Sequence, residues 1–177
     1  MAEGRRAGRA GWLRQSNSIT QQFLALGGRP DVVSLAGGLP AAELYPVGAV
    51  AEAAQAALDR HGTAALEYGP VEGFPALRAL IARRMAEETG GDIALANVML
   101  TGGSMQALDL LGKALVDPGG LIVAQAPTYL GALDAWRPRQ PRLHALDWEG
   151  TDPDGDRALA EADFAYAVPN YSNPTGV

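Results

Sequence analysis

Apolar residues recur at helical spacing through the first half of the chain. The spacing predicts one helix that begins at Ser16, a second over 47–60 and a third over 74–88. The glycine pair Gly90-Gly91 ends the third helix. In that helix we expect one buried face, made of Phe74, Leu77, Leu80, Ile81 and Met85.

From residue 97 onward the pattern changes, and short apolar runs alternate with helical segments. The runs predict strands over 97–101, 121–124, 142–146 and 164–168. The segments between them predict helices over 104–116, 128–136 and 155–162. In the first of these helices, we expect the inward-facing residues to be Ala107, Leu108, Leu111 and Leu115. Strands that alternate with helices predict an α/β fold with a largely parallel sheet.

Composition then narrows the classes of function. The chain has 177 residues, a formal net charge of -6 and no cysteine. An acidic balance argues against a nucleic-acid partner, and the lack of cysteine excludes thiolate metal sites and a cysteine nucleophile. Because no apolar run reaches about 18 residues, we expect no membrane span and a cytoplasmic location. We expect no metal site at His61 or His144, and His144 is interpreted as a structural residue of its strand.

Two catalytic motifs fail when they are tested on the segment after the first predicted strand. Gly102-Gly103-Ser104 is no nucleophile elbow, because Gln106 stands where that motif needs glycine. The segment around Lys113 is no P-loop, because Ala114 replaces the required Ser or Thr.

Three loops instead indicate a ligand site at one edge of the sheet. The turn 101–104 places backbone N–H groups at a helix N-terminus, which suits a phosphate. Pro127-Thr128-Tyr129 and the segment 173–176 each follow a predicted strand, at the end where parallel sheets bind ligands. A phosphate cradle, an aromatic ring and a side-chain amide together suit a flat phosphorylated heterocycle.

Six motifs in a fixed order carry a resemblance to a known family. They are SLAGGLP (34–40), YGPVEGFPALR (68–78), TGGSMQALDLLGKAL (101–115), DPGG (117–120), APTYLGAL (126–133) and VPNYSNPTGV (168–177). The set resembles the fold-type-I pyridoxal-phosphate aminotransferases of class I/II, in the branch of 2-aminoadipate and other broad amino-donor transaminases. The resemblance implies the N-terminal part of a mostly parallel α/β/α large domain, with the sheet incomplete. It also implies an N-terminal arm and substrate-side loop over 16–46, and a partial cofactor domain over 47–177. The Arg- and Gly-rich residues before them predict a flexible tail over 1–15.

The same resemblance implies a role for each matched residue toward pyridoxal 5'-phosphate. The backbone amides around Gly103, Ser104 and Met105 would hold the phosphate, helped by the Ser104 hydroxyl. Tyr129 would stack on the pyridine ring, and the Asn173 side-chain amide would donate to the phenolic oxygen.

Further implied roles concern the substrates and a second subunit. Tyr68 would reach the cofactor phosphate of a neighbouring subunit, so we expect a homodimer. Gly37 and Gly38 would leave room for the substrate carboxylate. The implied substrates are an amino acid and a 2-oxo acid.

The catalytic lysine of the family has no counterpart in this sequence. Lys113 is the single lysine, and it lies late on the helix whose opposite end would hold the phosphate. The resemblance implies that the Schiff-base lysine follows Val177, so we expect the chain alone to be inactive. Two alternatives stay open: a non-catalytic effector domain like those of certain bacterial transcription regulators, which share these motifs, and a degenerate remnant.

Overall fold

The computed structural model describes residues 10–12, 26, 29, 31–33, 40–147, 150 and 152–176. It divides into two compact units, one with the described residues of 1–18 and 102–177, the other with those of 19–101. Of the predicted helix that begins at Ser16, the structure describes only Leu26, and Gly37 and Gly38 lie outside the described residues.

The unit of residues 19–101 is built on two long helices, α1 (Val47–His61) and α2 (Pro75–Thr89). Both agree closely with the predicted helices. Proline at the first position of α2 suits a helix start, since its missing N–H would have no partner there. Gly90 ends α2 in the left-handed conformation, with φ 70°, and its N–H bonds the carbonyl of Ala86 at 2.9 Å.

The buried face of α2 differs from the predicted one. Its buried residues are Arg78 and Ala82, one turn apart, whereas Leu77, Leu80 and Met85 of the predicted face are exposed. The Arg78 guanidinium donates from Nε to the carbonyl of Val98 at 2.7 Å and from Nη2 to that of Leu95 at 2.8 Å. These two bonds satisfy the buried cation, so this face of α2 packs inward although it carries a charge.

The strand predicted over 97–101 was wrong. Residues Leu95–Asn97 form a 3-10 turn, and residues 98–101 are extended without belonging to a sheet. The physical reason is that backbone groups of this segment bond partners outside any sheet. The carbonyl of Val98 is taken by Arg78, and the N–H of Leu100 donates to the carbonyl of Glu72 at 2.9 Å.

The other unit contains a three-stranded sheet with β1 (Leu121–Gln125) in the centre, between β2 (Arg142–Leu146) and β3 (Phe164–Tyr166). Both pairings are parallel, with Val123 opposite His144 on one side and Ala165 on the other. The unit also holds α3 (Ser104–Leu115), α4 (Leu130–Trp136) and α5 (Gly155–Glu161). The sequence-based fold class, α/β with a parallel sheet, is therefore confirmed.

The core of this unit lies on both faces of β1. On one face, a cluster joins the sheet to α3 and α4, namely Leu108, Val116, Ile122, Ala132 and Trp136. On the other, a smaller cluster consists of Val123, Leu146 and Ala158. Because β1 is covered on both sides, four consecutive residues of it are buried, as its continuous apolar run predicted.

The buried face of α3 differs from the predicted one, because it includes a glycine and excludes two of the predicted leucines. Its buried residues are Leu108 and Gly112, while Leu111 and Leu115, both predicted to face inward, are exposed. A Cβ at Gly112 would lie 2.7 Å from Cδ1 of Trp136. The indole therefore packs directly on the α3 backbone, and the buried stripe passes through Gly112 instead of the leucines.

His144 is half-buried on β2 and has a partner that the sequence did not indicate. Its Nε2 lies 2.6 Å from a carboxylate oxygen of Asp152, which precedes α5. This hydrogen bond holds the pKa of Asp152 below its ordinary value of 3.8. The contact ties Asp152 to the sheet.

Replacing Asp152 by asparagine is expected to lower the free energy of unfolding near neutral pH. Because the pKa of Asp152 is lower in the folded state than 3.8, its stabilising contribution is present above pH 3.8. The contribution is lost as the pH falls through the folded-state pKa. Urea unfolding of the native chain and of Asp152→Asn from pH 7 to pH 3 measures both free energies of unfolding. The difference between the two should shrink as the pH falls. The exposed Asp92→Asn is the matched control, and a difference independent of pH would contradict the assignment.

None of the helices in the described ranges combines the length and apolar character needed to cross a bilayer.

Candidate functional site

The carboxyl ends of β1 and β3 lie at one edge of the sheet, because the two strands are parallel. The segment 126–129 follows β1, and the segment 167–176 follows β3. The start of α3 reaches the first of these segments, since the Tyr129 hydroxyl lies 3.7 Å from the sulfur of Met105. The structure thus brings two of the sequence-predicted residues into contact.

The start of α3 presents backbone N–H groups at this edge of the sheet. Its N-cap is Gly103, with φ 116°, a residue that has no side chain of its own to cap the helix. The backbone N–H groups of Ser104 and Met105 belong to the first turn, where no intrahelical acceptor exists. Both residues are exposed. The N–H of Gly102 is occupied, because it donates to the side-chain oxygen of Gln106 at 2.5 Å.

Tyr129 is half-buried, and its ring packs against the backbone of Gly131. A Cβ on Gly131 would lie 2.3 Å from Cζ of Tyr129, so the glycine makes room for the ring. The ring also packs against the cluster around Trp136. Burial, with a smaller electrostatic effect of Tyr129, raises the pKa of Tyr166, which keeps that phenol neutral.

The Thr128 hydroxyl, next to Tyr129, is buried and has no hydrogen-bond partner among the described residues. Native proteins rarely leave such a group unpaired. This edge therefore combines the Thr128 hydroxyl, the Tyr129 ring and the exposed start of α3. Together they suit a ligand that is both aromatic and anionic.

Asn173 lies in a turn that the sheet anchors. The preceding residue, Ser172, is 3 % exposed, and its carbonyl accepts the N–H of Gly176 at 2.5 Å. The side chain of Gln125, the last residue of β1, accepts the N–H of Val168 at 2.9 Å and lies 3.5 Å from the Ser172 hydroxyl. Asn173 itself is exposed.

Tyr68 belongs to the other unit, that of residues 19–101. Its side chain is fully exposed, in the loop between α1 and α2. It borders a cavity of about 350 Å³, next to His61 and Phe74.

Lys113 stands apart from the candidate site. Its Nζ forms an ion pair with Asp109 at 2.6 Å, one turn away on α3. Nine residues separate it from Ser104, which corresponds to about 14 Å of helix. As the sequence predicted, this lysine occupies the wrong end of α3 to reach a ligand bound at the helix start.

Sequence reasoning missed two residues that shape this edge, Gln125 and Gly131, and it placed Thr128 in a ligand-site loop without giving its hydroxyl a role. A usable signal existed for Gln125, since an amide that ends a run of four apolar strand residues needs a polar partner. The roles of Thr128 and Gly131 depend on what packs around them, so no local pattern reveals them.

Comparisons with known proteins identify the family. Residues 30–177 match the family described as Aminotransferase class I and II. The aromatic-amino-acid aminotransferase 1 of Thermococcus litoralis is 40 % identical over 170 residues, which cover 90 % of this chain and 41 % of that protein. The 2-aminoadipate transaminase of Thermus thermophilus is 40 % identical over 181 residues, covering 99 % of this chain and 43 % of that protein.

A solved structure gives the same result. The alpha-aminoadipate aminotransferase of Thermus thermophilus, complexed with N-(5'-phosphopyridoxyl)-L-leucine, superposes with a TM-score of 0.71 and 38 % identity. The match covers 92 % of this chain and 40 % of that one. The chain therefore spans about two fifths of the length of these relatives. The match over residues 30–177, together with the parallel α/β fold, shows that this chain belongs to the class I and II aminotransferases.

Proposed function

We propose that this chain contributes the phosphate and ring subsites for pyridoxal 5'-phosphate in an enzyme that transfers an amino group from an amino acid to a 2-oxo acid. The observation that carries the proposal is the exposed first turn of α3, at Ser104 and Met105, with the Tyr129 hydroxyl 3.7 Å from the Met105 sulfur. Family membership and the phosphopyridoxyl ligand named in the Thermus thermophilus structure support it.

Each residue of the site has one task in this proposal. The amides around Gly103, Ser104 and Met105 hold the phosphate dianion, which the helix dipole also favours. Tyr129 stacks on the pyridine ring, and the Asn173 amide donates to the phenolic oxygen. When bound, the cofactor supplies an electron sink for the pair released at the substrate α-carbon.

The substrate side of the site and the assembly extend the proposal. Gly37 and Gly38 leave space for the substrate carboxylate, in a cytoplasmic enzyme of amino-acid biosynthesis. The exposed Tyr68 hydroxyl reaches the cofactor phosphate of a second copy of the chain, so the enzyme works as a homodimer. The cofactor domain covers 47–177, behind an arm over 16–46 and a flexible tail over 1–15.

We further propose that residues 1–177 by themselves bind the cofactor without turning over substrate. The reaction needs an amine that acts as a base at the substrate α-carbon. Lys113, the single lysine of the sequence, is paired with Asp109 far from the phosphate subsite. An assay of the 177-residue chain with an amino donor and a 2-oxo acid measures this directly, and oxo-acid turnover would contradict it.

Equilibrium dialysis of pyridoxal 5'-phosphate against the chain tests the binding site. We expect saturable binding, and about tenfold weaker binding in Tyr129→Ala, because stacking adds about 0.5–1.5 kcal/mol beyond burial of the ring. Tyr45→Ala, which removes an exposed tyrosine from the other unit, is the control and should bind normally. Lack of binding by the native chain, or equal loss in both variants, would overturn the proposal.

A further inference from the structure

The segment that leads from β3 to Asn173 leaves the sheet before it reaches the candidate site. β3 pairs with β1 only as far as Tyr166, opposite Ala124. Gln125, the next residue of β1, therefore has no partner residue in β3. Without backbone pairing, the chain beyond Tyr166 needs another anchor to hold a defined position.

The Gln125 side chain supplies that anchor. Its Oε1 accepts the N–H of Val168 at 2.9 Å, replacing the ladder bond that the strand no longer makes. This bond fixes which way the amide faces, so its Nε2 points to the Ser172 hydroxyl, 3.5 Å away. The two contacts are four residues apart on one segment, and one side chain holds both.

The environment makes these contacts effective. Ser172 is 3 % exposed, and Gln125 is half-buried at the end of a strand whose other four residues are buried. A hydrogen bond shielded from water resists exchange with solvent better than one on the surface. Ser172 also accepts the N–H of Gly176, which closes the turn around Asn173.

We propose that Gln125 is a positioning residue that orients Asn173 toward the phenolic oxygen of the cofactor. This inference rests on the proposed function, in which Asn173 is that donor. Gln125 acts through the turn and does not itself touch the cofactor. Loss of its amide frees the segment 167–172, so the Asn173 amide samples orientations that cannot donate.

The first measurement is independent of any cofactor. Hydrogen exchange, read by mass spectrometry on peptides that cover 167–176, should be about tenfold faster in Gln125→Ala because the amide of Val168 loses its acceptor. Gln125→Glu keeps an acceptor at the same reach and should restore most of the protection, whereas the shorter Gln125→Asn should not. Gln55→Ala, an exposed glutamine on α1, is the matched control. Unchanged exchange in Gln125→Ala would overturn the proposal.

The second measurement follows the visible absorbance of bound pyridoxal 5'-phosphate across pH. Donation by Asn173 stabilises the phenolate, so Asn173→Ala should raise the pH midpoint of this titration. Gln125→Ala should raise it in the same direction, and the double variant should add nothing further. An unshifted midpoint in Gln125→Ala beside a shifted one in Asn173→Ala would overturn the positioning role. Lack of cofactor binding by the native chain would instead overturn the proposed function and the role derived from it, while the exchange result would still stand.

Discussion

Replacing Trp136 by alanine is expected to lower the free energy of unfolding of the 102–176 unit by about 3–5 kcal/mol. The indole is 1 % exposed and is the largest fully buried side chain among the described residues. It packs edge-on against Phe164 and Tyr166, with ring centroids 5.2 and 5.1 Å away. Its Nε1 donates to the carbonyl of Leu108 at 3.0 Å, so the substitution also removes one hydrogen bond from a buried carbonyl of α3.

Denaturant unfolding followed by far-ultraviolet circular dichroism measures this loss. Trp136→Phe is the graded control, because it keeps an aromatic ring against β3 and removes only the donor to Leu108 and part of the volume. We expect it to cost about 1–3 kcal/mol. A Trp136→Ala variant as stable as the native chain would contradict the packing described for α3 and β3.

The Trp136 prediction also bears on the candidate site. Trp136 joins α3, whose start would hold the phosphate, to the core cluster against which Tyr129 packs. Its loss should therefore weaken binding of pyridoxal 5'-phosphate even at temperatures where the chain stays folded. Equilibrium dialysis of Trp136→Ala well below its melting temperature provides that comparison, and full affinity would show that the site is formed independently of this core.

Replacing Arg78 by methionine is expected to destabilise the unit of residues 19–101 by about 2–4 kcal/mol. Arg78 is 8 % exposed and bonds the carbonyls of Val98 and Leu95. Methionine keeps much of the apolar stem and removes both donors. The carbonyl of Val98 then loses the Arg78 bond, and that of Leu95 keeps only the N–H of Val98, at 3.2 Å. Because no strand pairs with residues 98–101, these bonds have a large share in holding that segment on α2.

The matched control for Arg78 lies on the same helix. Arg83→Met makes the same chemical change at an exposed position and should alter stability by less than about 0.5 kcal/mol. Arg78→Lys keeps the charge but presents a single ammonium, which does not reproduce the planar fork that bonds two carbonyls. We expect its stability to be intermediate. Hydrogen exchange at Leu95–Leu100 reads the local effect, and equal protection in the native chain and Arg78→Met would refute the assignment.

Most elements of the fold could be predicted from periodicity. The central strand shows why, since its run of apolar residues is buried on both faces of the sheet. The end of α2 followed from the glycine pair that comes after it. The strand predicted at 97–101 was wrong because an apolar segment becomes a strand only when a neighbouring strand bonds its backbone. Here no strand of the described residues lies beside it, and its backbone groups bond the Arg78 side chain and the carbonyl of Glu72 instead.

The candidate site was predictable where it depends on motif order, and less so where it depends on packing. The sequence alone placed Ser104 at a helix start and Tyr129 after a buried strand, and it pointed to the family. The contact of Tyr129 with Met105, its support by Gly131 and the two contacts of Gln125 join residues up to 47 positions apart. No local pattern encodes such pairs.

By itself, then, the sequence determined the α/β class, the bounds of most elements and the membership of the aminotransferase family, because these follow from periodicity and from short motifs. The tertiary structure decided which faces are buried. On α3 the buried position is Gly112 and not the predicted Leu111, and on α2 the buried residues include Arg78. The physical reason is the same in both cases, because burial of a helix position depends on the group that packs against it. The Trp136 indole packs where Gly112 has no side chain, and the Arg78 guanidinium donates to two backbone carbonyls.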